Sequence, residues 1–309
     1  MKKNVLILLL LGLVMLAAAC GGADSSSGAI DGDEIPVFEE GNGEDADGQT
    51  TLEKAQEDGF IKVGFANERP YAYATSSGEL TGLNVEIAKA VFAKLGIEEV
   101  DGTLAQFGAL IPGLQAGRYD VITAGMYITP ERCAEVAFAE PEYSIGEGLA
   151  VAQGNPLNLN SYEDIIENSD ATVAIMTGAI EETYLNNMGI GSGQIQNVND
   201  NPSAIEALKA GRVDAITMTG PSLRDALDIH GDESIEIVED FIQPEIDGES
   251  VRGFGSAAFR QADQDFVEAY NEGLAELMES GELLEIYEEF GFTDEELPGD
   301  MTAQQACGQ

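Results

Sequence analysis

Basic residues are scarce in this chain. Fourteen Lys and Arg stand against 57 Asp and Glu in 309 residues, a formal net charge of −43. So negative a surface repels polyanions, which argues against nucleic acid and anionic membrane surfaces as partners. Histidine is scarcer still. His230 is the single copy; it stands apart from every motif described below and is assigned no role. With no imidazole near those motifs, acid–base or nucleophilic catalysis built on His has no candidate. An enzyme is not expected, nor a cofactor or a metal site. Cysteine is limited to Cys20, Cys133 and Cys307. One uninterrupted apolar run stands out, Val5 to Leu16, and it is too short to span a bilayer as a mature helix.

That run has a meaning of its own. Lys2 and Lys3 precede it, and Ala17, Ala18 and Ala19 lead into Cys20. The layout predicts a signal over residues 1–19, with cleavage before Cys20 and a lipid on its thiol. It resembles a bacterial lipoprotein signal, although Ala17 stands three residues before the Cys where Leu is commoner. A plain secretory signal with an incidental Cys is the alternative. Gly21 to Gly48 is rich in Gly, Ser, Asp and Glu and lacks Lys and Arg. Such a stretch cannot bury enough surface to offset its chain entropy, so residues 20–50 read as a disordered acidic tether. The expected setting is extracytoplasmic and membrane-anchored, on a cell surface or in a periplasm. Without Lys2 and Lys3 the net charge approaches about −45, which suits a halophile whose surroundings screen self-repulsion. Cys133 and Cys307 would then share an oxidising compartment, and a bridge between them would staple the C-terminal tail to the first lobe. Two free thiols are the alternative.

The remaining 250 or so residues carry an internal echo. Residues 110–123 read LIPGLQAGRYDVIT and residues 204–217 read AIEALKAGRVDAIT. Each copy predicts an amphipathic helix, a Gly stop and an Asp opening an apolar strand. Short apolar strands precede them at Ile61–Phe65 and Thr172–Ile175, with helices at 84–95 and 183–187 between. Alternating strands and helices imply an α/β fold of two open sheets, whose ligands sit at the carboxyl ends of the strands. Extended Gly-flanked segments at 148–153 and 250–258 read as two hinge strands. The expected organisation is lobe one over 51–149, lobe two over 150–252, and a return to lobe one over 253–309. Helices at 263–280 and 283–290 would pack back on the first lobe.

Gly125-Met-Tyr-Ile-Thr-Pro-Glu-Arg132, followed by Phe138-Ala-Glu-Pro-Glu-Tyr143, resembles the anion-gripping segment of solute-binding proteins of ABC importers, in the polar amino-acid-binding branch. The resemblance implies a type II periplasmic-binding-protein-like fold, a monomer that closes on a small ligand, and permease subunits as partners. It implies that Thr129 and Arg132 hold a ligand carboxylate, and a planar guanidinium can make two parallel charge-assisted bonds to one. An Arg paired with Glu135 on its own helix is the plainer account.

Three further stretches narrow the resemblance: Gly64-Phe-Ala-Asn-Glu-Arg-Pro-Tyr-Ala-Tyr73, Gln106-Phe-Gly-Ala-Leu-Ile-Pro-Gly-Leu114 and Ile246-Asp-Gly-Glu-Ser-Val-Arg-Gly-Phe254. With the Arg132 segment they resemble ectoine- and hydroxyectoine-binding proteins. That implies Glu68 for the ring N–H groups of a delocalised cation, with Tyr71, Phe107 and Tyr127 as aromatic walls that attract charge. Thr177, Gly178 and Ala179, at a helix start in lobe two, would offer backbone N–H groups. Each has a structural rival: Glu68 could pair with Arg69, Phe107 could be core, Tyr127 could be strand packing, and Tyr73 could replace Tyr71. Amino-acid binders of this branch place an acid five residues after the Asp of the second AGRxD, where Thr219 stands here. An α-ammonium without that acid would be poorly paired in a dry cleft, so a compatible solute is expected rather than a polar amino acid or an opine. A dehydratase on the same fold is the remaining alternative.

Overall fold

The computed structural model describes residues 48–246 and 249–308. The expected signal, Cys20 and most of the tether lie outside the described residues, as do Asp247 and Gly248. No helix among the described residues is long and apolar enough to cross a membrane.

Two five-stranded sheets are built to one plan. In the first, strands run in the order Glu99–Leu104, Phe60–Phe65, Val121–Ile122, Ala258–Phe259, Ala137–Phe138. In the second the order is Ile195–Val198, Val173–Met176, Ala215–Thr219, Glu147–Ala152, Ile235–Ile237. The first three strands of each are parallel, and the fourth runs antiparallel to the third. The echo in the sequence marks equivalent places. Helices Leu110–Gln115 and Asn201–Lys209 each run into a Gly with positive φ, Gly117 at 67° and Gly211 at 62°. A residue with a Cβ adopts that conformation only at a cost, so Gly ends both helices. The Asp after each AGR triplet then ties two strands together: Asp214 Oδ2 accepts from the Thr172 amide at 2.9 Å, and Asp120 Oδ2 from the Lys62 amide at 3.4 Å.

The first lobe's core lies between its sheet and the helices Leu83–Lys94, Gln264–Ser280 and Glu282–Glu289. Phe92, Phe259, Phe266 and Tyr270, all buried, meet with ring centroids 5.1–5.9 Å apart. Cys133 and Cys307 are bridged across 174 residues of sequence, which brings the C-terminal tail to the short helix Pro130–Cys133.

Of the two expected crossing strands, 250–258 contains an observed connecting strand and 148–153 does not. Glu147–Ala152 is a buried strand inside the second sheet, so a lobe boundary after Leu149 would cut it. The connection is instead the antiparallel pair Tyr143–Ile145 and Gly253–Gly255. Gly148 had suggested an extended linker, but its hydrogen lies against the second lobe, where a Cβ would meet Leu223 at 2.9 Å. The glycine there serves packing rather than hinge motion.

Candidate functional site

A narrow cavity of about 20 Å³ lies where the two sheets' strand ends face each other. Glu68, Phe107, Gly125, Tyr127 and Arg132 line it from the first lobe. Met176, Ala179, Ile180, Glu181 and Thr219 line it from the second.

Arg132 is the third residue of its helix, capped by Thr129, whose hydroxyl oxygen accepts the Arg132 amide at 3.2 Å. Its guanidinium donates from Nη1 to Tyr127 O at 2.8 Å and from Nη2 to Gly178 O at 3.0 Å, and so spans the lobes. It does not pair with Glu135 among the described contacts; instead its Cζ lies 5.5 Å from the centroid of the Phe107 ring. Phe107 opens a single 3₁₀ turn, is buried, and still faces the cavity.

Glu68 is 7% exposed, and burial together with the nearby Glu181 charge pushes its carboxyl up to about 8. The Ser222 hydroxyl, 3.1 Å from Glu68 Oε1, works the other way. Arg69 does not take Glu68 as its partner. It lies over the Tyr73 ring and pairs with Asp225 of the second lobe at 3.1 Å.

Tyr71 stands behind the wall rather than in it. It is fully buried, stacked on Tyr143 at 5.6 Å, and its hydroxyl meets Thr219 Oγ1 at 2.7 Å. That bond joins the lobes and occupies the position that lacks an acid. Tyr127 does line the cavity, held by an isolated bridge to Gly255 and by the Ile128 amide donating to Phe254 O at 2.7 Å. The helix start in lobe two is arranged differently from expectation. The Thr177 amide donates to Val198 O and the Ala179 amide to Met176 O, so both are engaged inside their own lobe. Gly178 presents its carbonyl to Arg132, and Gly178 and Gly108 approach so closely that a Cβ on Gly178 would lie 2.7 Å from Gly108 Cα.

Sequence reasoning passed over Glu181, which lines the cavity, and Glu147, which is in register with Thr219 on its wall. Glu147 and Glu181 are 5% and 3% exposed, and burial raises both carboxyls above the usual range. Neither Glu147 oxygen, nor Glu181 Oε2, has a donor among the described groups. The case against amino acids rested on Thr219 alone. These two acids weaken it, because either could receive an ammonium.

Residues 61–293 match the model of the bacterial extracellular solute-binding proteins, family 3. A probable amino-acid ABC transporter periplasmic-binding protein of Sinorhizobium fredii is 35% identical over 264 residues, covering 84% of this chain and 87% of that one. A probable histidine-binding protein of Campylobacter jejuni is 29% identical over 222 residues, covering 72% and 80%. Among solved structures, EhuB in complex with hydroxyectoine superposes with a TM-score of 0.76 at 34% identity, covering 83% of this chain and 97% of that one. The chain belongs to the bacterial extracellular solute-binding proteins, family 3, and has their two-lobed type II periplasmic-binding-protein fold.

Proposed function

We propose that the protein captures ectoine or hydroxyectoine between its lobes and hands it to the permease of an ABC importer. The observation that carries this reading is one small cavity containing a guanidinium, a buried carboxylate and two aromatic rings: Arg132, Glu68, Phe107 and Tyr127. Ectoine is a compact ring bearing a carboxylate and a delocalised cation. Arg132 suits the first, and Glu68 with the ring faces suits the second. The likeness to EhuB, whose complex contains hydroxyectoine, supports the same choice.

Capture works through differential contact. Arg132 with Gly178, Tyr71 with Thr219, and Arg69 with Asp225 join the lobes only when they are together. A ligand that touches both walls adds to that set and shifts the population toward closure. Tethering by a lipidated Cys20 would hold the protein near its permease, and a monomer suffices for this task.

A thermal-shift panel of ectoine, hydroxyectoine, glycine betaine, proline and polar amino acids tests the reading. At about 100 times Kd the expected stabilisation is roughly 2.7 kcal/mol. Stabilisation by a polar amino acid, with none by either ectoine, would overturn it. Glu147 and Glu181 give that second outcome a physical basis.

A further inference from the structure

The proposed ligand reading gives Glu147 and Glu181 no task, although they are costly to bury. Glu147 begins the strand Glu147–Ala152, in register with Thr219, and Gln243 Oε1 accepts its amide at 2.8 Å. Its carboxyl oxygens have no donor among the described groups. Glu181 is the second residue of the helix Ile180–Met188 and lines the cavity, with Oε2 likewise unpartnered. The Tyr127 hydroxyl favours an ionised Glu147, and the close approach of Glu181 disfavours it. Two carboxylates can only accept, so that approach is a bond when one proton is shared and a repulsion when none is. Groups facing the pair are Arg132 and Glu68 from the first lobe's loops, Tyr127 beside the hinge strand, and Tyr162 and Tyr184 from helices of lobe two. The Arg132 charge favours an ionised Glu181, whereas Glu68 disfavours an ionised Glu147.

We propose that Glu147 and Glu181 form a second acidic subsite, which binds a cationic N–H group of the ligand and releases the shared proton to solvent in exchange. This rests on the interlobe cavity being the ligand site, but not on the ligand being ectoine. The exchange balances: one positive charge leaves the pair as another arrives, and an N–H donor replaces the O–H donor. A quaternary ammonium could fill the aromatic walls but has no N–H to give these oxygens.

Calorimetric titration near pH 6.5, in two buffers of different ionisation enthalpy, counts the protons released. The probes are ectoine, L-arginine and glycine betaine. Ectoine or arginine should release a measurable part of one proton, and betaine less. Glu147→Gln and Glu181→Gln should each reduce the release to the share of Glu68 and weaken binding about 10-fold or more, with thermal melts showing whether each variant folds. The wild-type measurement stands if they do not. Binding without buffer dependence in the wild-type protein would overturn the subsite. So would release that is undiminished in both variants, which would put the whole proton on Glu68. Release with arginine and no binding of ectoine would keep the subsite and remove the ectoine reading. Failure of all three probes to bind would overturn both.

Discussion

In the proposed reading, carboxylate binding turns on Arg132. Its planar fork already meets two carbonyls, Tyr127 O and Gly178 O, one on each lobe. Lysine keeps the charge but loses the planar, parallel donor pair. Arg132→Lys should therefore lower ligand affinity by about 100-fold, the loss expected for two charge-assisted bonds. Calorimetry with whichever ligand the panel identifies reads this directly, and near-wild-type affinity would remove Arg132 as the anchor. Its place on the cavity wall was legible because its motif is local: Thr129, three residues earlier, caps the helix that presents it. Glu68 was legible for a similar reason. Glu147 and Glu181 were not. In a chain with 57 acids, one more Glu after a Gly or at a helix start carries no signal. What distinguishes these two is burial and mutual contact, which depend on residues far away in sequence.

Between residue and molecule, the strand Gly253–Gly255 is the element that joins hinge to site. A Cβ on Gly253 would fall 1.7 Å from the Tyr127 ring, and one on Gly255 would fall 1.9 Å from Tyr143 Oη. The two glycines are therefore spaces for two tyrosines, one on the cavity wall and one stacked beneath it on Tyr71. Gly253→Ala should displace the Tyr127 ring, cost about 1–3 kcal/mol in stability by overpacking, and reduce affinity more than Gly255→Ala does. Chemical denaturation and calorimetry on the two variants check both halves, and equal losses of affinity would refute the link to Tyr127. Elements with a strong local signal were legible: both AGR triplets end helices and precede apolar strands as their sequence says. The first hinge strand was misplaced by a few residues because a glycine required for packing, Gly148, looks in sequence like a glycine required for bending.

At the scale of the whole molecule, closing the lobes brings acids together in a protein that is already strongly negative. Glu68, Glu147 and Glu181 are all pushed up in the closed arrangement, chiefly by burial. An open cleft would return them toward the ordinary carboxylate range. A carboxyl raised by closure favours the closed form fully below its open-state value, and that advantage is lost as pH rises through the closed-state value. For Glu68 the window runs from about 4.5 to about 8. At 1.36 kcal/mol per unit, the full shift is on the order of 5 kcal/mol, the most that opening could release, with the other two acids adding in the same direction. Glu142 is different. Burial raises it to about 7, but Tyr270 and Asn84 hold it inside the first lobe, so its ionisation weighs on unfolding rather than on opening. Small-angle scattering of the ligand-free protein should therefore show the radius of gyration rising between pH 5.5 and pH 9, and a bound cationic ligand should suppress the rise. Surface repulsion also opposes closure, but its range shrinks from about 10 Å at 0.1 M salt to about 3 Å at 1 M. A rise that persists in 1 M salt belongs to the buried acids. A rise that salt abolishes would assign the effect to the −43 surface charge and take the cleft out of it.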